Sequence, residues 1–186
     1  MEADRLVIGE LDKLTELPEF QRGLRSLIEA AKKRAAEIWS GYTFGGMFPQ
    51  GKQFGITSAL PKFFGSTTTA LKHWRQNFAH TAWQDIFNVT VQEDIIIGMM
   101  GVAIVDPTIN ISELRAEISD RKYPRVNIEE MKAYNKPAIL FKQGLIAEEE
   151  KSFKLRGYVT ATGYQTVIPV GGFTIFKKLD DVITES

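Results

Sequence analysis

The 186-residue chain contains no cysteine. That absence excludes disulfides, thiol nucleophiles and zinc or iron–sulfur sites built on Cys. Histidine is scarce, with only His73 and His80. Helical spacing would put both on one face, but no acid lies within that helix to complete a metal site, so both are expected as polar neighbours of an aromatic core. Long apolar runs are also missing. The best, Ile95 to Val105, has eleven residues, against roughly 20 for a membrane-spanning helix. The start, Met1-Glu2-Ala3-Asp4, lacks the basic and apolar regions of a secretory signal. The expected location is therefore the compartment of synthesis: the cytoplasm or a virion. Net charge is zero, from 23 basic and 23 acidic residues. A protein whose main task is coating nucleic acid normally carries a strong positive excess, although a local basic site remains compatible with this balance.

Motifs for catalysis are missing as well. Gly41 to Gly46 is not followed by Gly-Lys-Ser/Thr, and Gly51-Lys52 is followed by Gln53. Gly98-Met99-Met100-Gly101 does not complete a dinucleotide fingerprint, and no Gly-x-Ser-x-Gly occurs. Glu93-Asp94, Glu129-Glu130 and Asp180-Asp181 are adjacent carboxylates. On a strand, neighbours point to opposite faces, so these are not convergent pairs. Glu148-Glu149-Glu150 reads as a solvated turn. The sequence nominates no catalytic, cofactor-binding or metal-binding residue.

The most informative absence is regional. From Ile38 to Gln84 there is no Asp or Glu, yet the stretch holds ten of the chain's twenty aromatic residues. Gly41, Gly45, Gly46, Gly51, Gly55 and Gly65 are threaded among them, and only Lys52, Lys62, Lys72 and Arg75 are charged. The flanking zones mix acids and bases. A surface loop normally carries both signs, so an acid-free aromatic segment is expected to be covered by something.

The fold class expected is α+β: N-terminal amphipathic helices, a Gly/aromatic-rich extended arm, and a C-terminal antiparallel β sandwich or barrel-like module. Residues 1–84 form the helical region with its arm (41–65), and residues 85–186 the β-rich module, together one cooperative unit. Pro18 at a first-turn position opens a helix of about five to six turns, with Phe20, Leu24, Leu27, Ile28, Ala31 and Ile38 on one stripe. Leu6, Val7, Ile8, Leu11 and Leu14 fit a shorter preceding helix. Breakers at Gly45-Gly46, Pro49, Gly51, Gly55 and Pro61 keep the arm irregular. From Ser66 or Thr67 a second amphipathic helix is expected, carrying Leu71, Trp74, Phe78 and Ala82. Beyond it, β-branched and alternating segments read as short strands: 88–91, 95–105, 114–118 (a stretch that also fits a helix capped at Ser112), 126–128, 138–141, 153–161, 166–168 and 173–176. Asp106-Pro107, Gly163 and Gly171-Gly172 supply turns between them.

This pattern favours a non-enzymatic structural subunit. Interface cores are rich in aromatics and Met and poor in acids, as are Ile38 to Gln84, Met47 included. The expected partners are other copies of the chain, as in a virion or other protein shell, with Tyr42, Phe44, Phe48, Phe54, Phe63 and Phe64 as interface residues. The alternative is a module binding single-stranded nucleic acid, in which aromatics stack on bases. Its candidate contacts are Lys52, Lys62, Arg121, Lys122 and Arg125.

Overall fold

A computed structural model describes residues 5–9, 16–64, 74–133 and 138–183, residues 5–9 by their backbone. The architecture follows from strand β6 (Ile95–Ile104), whose ten residues are all buried. A near-continuous apolar run is what a strand covered on both faces requires. One cover is helix α1 (Pro18–Ile38), 21 residues long. Pro18 opens it with a preset φ and no lost hydrogen bond. Phe20, Ala31 and Ala35 are its buried residues. Ala31 and Ala35, both fully buried, let the helix backbone approach the sheet closely around Phe54, Ile96, Phe173 and Ile175. Phe20 packs on Met100, Leu140 and Val170 toward the helix start.

The other cover is a second sheet. The larger sheet contains β1 (Arg5–Gly9), β2 (Thr43–Phe44), β3 (Gln53–Ser58), β4 (Arg75–Phe78), β6, β10 (Ala138–Ala147), β12 (Gly163–Val170) and β13 (Phe173–Phe176). The smaller contains β5 (Trp83–Thr90), β7 (Ile111–Ile118), β8 (Arg121–Lys122), β9 (Val126–Asn127) and β11 (Ser152–Val159). Short helices α2 (Glu129–Ala133) and α3 (Asp180–Ile183) complete the described elements. Side chains from both sheets share one core, including Ile97, Met99, Val102 and Ile139 from the larger and Leu114, Phe153 and Leu155 from the smaller.

Apart from the short β8 and β9, which stay with β7 in the smaller sheet, strands β5 to β12 alternate between the sheets. The smaller runs β5-β11-β7, then β8 and β9; the larger runs β3-β13-β6-β10, with β4 beside β12. Alternation with this order is that of a jelly roll. β1 adds an outer strand beside β10, and β2 a short one beside β3. The expected antiparallel sandwich is thus present. Its sheets nevertheless draw strands from both halves of the sequence, and β5 runs across the expected division at residues 84 and 85.

The strands beside β6 break step together. Val170 pairs with Gly101 and Phe173 with Gly98, so β12 and β13 keep one register along β6. Gly171-Gly172 is therefore a jog within one line of chain, not the reversal expected from a glycine pair. On the other side, β10 inserts extra residues between Leu140, opposite Gly101, and Leu145, opposite Met99. At this level β6 changes face. Met99 points into the sandwich core and Met100 to the helix, but Val102 points to the core again. Gly101 permits the close approach, because a Cβ there would lie 2.1 Å from the Ile139 carbonyl oxygen.

Two expected helices are replaced by strands where the structure describes them. Leu6, Val7 and Ile8 lie in β1, paired antiparallel with β10; Leu11 and Leu14 lie outside the described residues. Phe78 closes strand β4, paired with β12, and Ala82 sits in the link to β5. Residues 65–73, with Leu71 and His73, are outside the description. Each segment was apolar enough for either state, and pairing with a waiting strand decided the outcome.

Replacing Gly101 with Ala drives a methyl into the β10 backbone and is expected to lower unfolding free energy by about 3 kcal/mol. Gly51→Ala meets nothing within 4 Å but keeps a φ of +59°, so about 1 kcal/mol is expected. Urea unfolding of the two variants checks the ranking.

Candidate functional site

The acid-free stretch divides into a covered part and a presented part. After α1 the chain turns at Gly41 and runs out along β2, beside β3 and parallel to it. Parallel neighbours need a chain that goes round and returns. Here Gly45–Lys52 makes the circuit, with Gly46 and Gly51 at φ of 82° and 59°, a region that favours glycine. The Thr43 amide donates to the Lys52 carbonyl at 3.2 Å, and the Gly45 amide to the Phe54 carbonyl at 2.9 Å. The Ile56 amide closes on the Gly46 carbonyl at 3.2 Å, and the Gln50 amide on Gln53 Oε1 at 3.1 Å. The result is a compact loop with adjoining ends, of the Ω kind.

The helix-facing side of β2 and β3, from which the loop springs, is aromatic. Phe54, 2% exposed, meets Trp39 edge-on at 6.0 Å and Phe44 at 5.9 Å. The solvent side is apolar too. Phe44 is 43% exposed, Met47 66% and Phe48 73%. The Lys32 ammonium lies 3.9 Å above the Phe44 ring, covering one face by a cation–π contact.

An ion cluster fixes the base of the loop. Asp94, at a φ of 64°, pairs with Lys178 at 2.9 Å and Lys177 at 3.3 Å. The Asp94 amide donates to Glu149 Oε2 at 2.8 Å and Glu148 pairs with Arg34 of α1, so two members of the Glu148–Glu150 turn are structural. Lys177 also stands 4.7 Å over the ring of half-buried Tyr42. Burial pushes the Asp94 carboxyl up, but the hydrogen bonds and charges of Lys178 and Lys177 outweigh it and hold the group below its ordinary value. The same hydrogen bond raises Lys178.

The six nominated aromatics therefore separate. Tyr42, Phe44 and Phe48 belong to the loop and its base. Phe54, Phe63 and Phe64 are buried in this chain's own core, which corrects their assignment as contacts to another copy. Pro61–Phe64 forms a 3-10 turn. Phe64 there meets Trp74 at 4.7 Å, Phe87 at 5.1 Å and Phe153 at 6.1 Å.

The nominated bases do not converge. Lys52 is exposed on the loop, while the Lys62 ammonium donates to the Asp181 carbonyl at 3.0 Å. Arg121, Lys122 and Arg125 belong to the smaller sheet and its β8–β9 link. Arg121 stacks 4.9 Å over Tyr123, and Arg125 pairs with Glu113 at 3.8 Å. Composition gave no sign of the cluster on this sheet's outer face. Trp83 meets Tyr158 edge-on at 5.7 Å, with the Arg115 and Arg125 guanidiniums 5.3 and 5.6 Å over its ring. Only strand register brings these residues together. Acids occupy its arginines: Glu117 pairs with Arg115 at 3.0 Å, and Asp85 with neighbouring Arg156 at 3.0 Å.

Among the described residues no group of three His, Asp or Glu could hold a metal, and His80 is exposed in a turn. A cavity of about 10 Å³ lies among Leu114, Val126, Phe141 and Leu155. It has room for about one water and offers an apolar lining, so it is a packing gap. No helix among the described residues is long and apolar enough to cross a membrane. No family model, curated protein or solved structure matches this chain.

Truncating Phe64 to Ala is expected to cost about 3–5 kcal/mol of stability, whereas Phe48→Ser should change it by no more than about 0.5 kcal/mol; chemical denaturation measures both. The Asp94 contribution has a defined sign. Its folded pKa lies below the unfolded value, so the stabilisation is present above the ordinary Asp range and is lost as pH falls through the folded value. Asp94→Asn is expected to flatten the acid limb of the stability-versus-pH curve. An unchanged acid limb would show that the cluster contributes nothing.

Proposed function

We propose that the chain is a non-enzymatic structural subunit that self-assembles into a large homo-oligomer, such as a virion or other protein shell. In this reading the loop Gly45–Lys52 is where one copy meets the next. The observation that carries it is the presentation of Met47 and Phe48, 66% and 73% exposed, on a hydrogen-bonded loop inside the acid-free stretch. A well-hydrogen-bonded backbone has little left to order on binding, which lowers the entropic cost of association. Aromatic and Met side chains without nearby acids have the composition of an interface core, where a few anchors dominate the energy.

The fold adds support of a weaker kind. Jelly rolls build capsid domains, and lectins and cupins as well, so architecture allows the reading without selecting it. Binding of single-stranded nucleic acid has less support. Its candidate bases are scattered over the loop (Lys52), the 3-10 turn (Lys62) and the smaller sheet with its β8–β9 link (Arg121, Lys122, Arg125), and several arginines around Trp83 are already paired with acids.

The test is particle mass in solution. Light scattering is expected to give a mass that rises with concentration well above the 21.0 kDa of one chain. Replacing both Met47 and Phe48 by Ser should shift the assembly midpoint upward at least tenfold in concentration. A wild-type chain that stays at monomer mass at high concentration would sink the proposal.

A further inference from the structure

The exposed large apolar side chains among the described residues are Phe44, Met47, Phe48, Val105, Tyr158 and Tyr164. Met47 and Phe48 form the loop tip, and Phe44 lies at its base in β2. Val105 and Tyr164, 48% and 56% exposed, form a second patch. The Val105 amide donates to Thr166 beside Tyr164, whose ring carries the Arg75 guanidinium at 4.7 Å.

Strand register places these patches at opposite ends of one sheet. Gly55 is level with Phe176, and Phe176 with Ile95, the first residue of β6. Gly46 and Pro49 lie against Gly55, so the tip stands at that end. Val105 directly follows Ile104, the last residue of β6. The ten residues of β6 separate the ends, roughly 30 Å at the rise of a strand.

We propose that assembly is head-to-tail: the Met47–Phe48 tip of one copy docks on the Val105–Tyr164 end of the next. This rests on the self-assembly reading above and names its second surface. Charge argues for this pairing over tip against tip. The tip carries Lys52 and no acid, so two tips would bring like charges together, while the far end is balanced, with Asp106 next to Val105 and Arg75 over Tyr164. Two different surfaces in contact make a heterologous interface, which propagates into a closed ring or an open array.

Complementary variants test it. The tip variant carries Met47→Lys and Phe48→Lys; the end variant carries Val105→Lys and Tyr164→Lys, so the two altered surfaces repel each other. All four positions are exposed, and circular dichroism confirms folding. Should either fail to fold, Phe48→Ser and Tyr164→Ser replace them. Each variant alone is expected at 21.0 kDa by light scattering. An equimolar mixture should give a species of twice that mass and no larger one, because only one intact tip and one intact end remain to join. If the end variant assembles like wild type, or the mixture stays monomeric, the head-to-tail arrangement is wrong while self-assembly stands. If wild type is itself monomeric, both fail.

Discussion

Burial of β6 on both faces is the constraint on which the rest depends. Ile95, Ile96, Ile97, Met99, Val102 and Ile104 are each at most 1% exposed. Burying such a side chain contributes about 1.5–3 kcal/mol, an upper figure because the unfolded chain already hides some of this surface. A strand with that composition has no face to give to water. It needs a layer on each side, and α1 and the smaller sheet are those layers. At about 1.5 Å per residue, the 21 residues of α1 span nearly the length of β6, so one helix suffices on its side.

The second consequence is a local fault that three strands share. Side chains alternate along a strand, so an inserted residue reverses which face each presents. β10 takes extra residues between Leu140 and Leu145, β6 shifts face across Gly101, and the β12–β13 line jogs at Gly171-Gly172. No one of these breaks could stand alone. A shift in β10 without one in β6 would turn apolar side chains away from the layer meant to cover them. Gly98 and Gly101 interrupt the apolar run visibly in the sequence. Their purpose was not visible there, because it lies in the neighbouring strands.

Legibility tracked how local the deciding interaction is. The helix from Pro18 was readable because its stripe and its proline act within a few turns. Strands such as 153–159 were readable because alternation is local too. Leu6–Ile8 and Trp74–Phe78 were misread as helix. Their apolar residues suit either period, and the pairings that decide the matter lie about 130 and 90 residues downstream. The same limit governed the site. Acid depletion located the unusual stretch. It could not separate Phe54, Phe63 and Phe64, which fill the core, from Met47 and Phe48, which do not. Nor could it find Val105 and Tyr164, because their patch exists only through the pairing of β12 with β6.

The exposure of the tip is imposed by its surroundings. Gly55 has no room for a Cβ between Phe176, the Gly46 carbonyl and Pro49. The loop therefore lies directly on the edge of the larger sheet, and its inner side is already filled. On the opposite face of β3, Phe54 lies between Trp39 and Phe44. The loop's own inner side is filled by its contacts with Gly55 and the Gln53 side chain, and Met47 and Phe48 are left exposed. Lys177 ties Asp94 to Tyr42 at the loop's base, which restrains the alternative of swinging the whole loop away. Apolar side chains held outward by a packed support cannot reduce their contact with water by local rearrangement. Contact with another surface is the remaining way to do so.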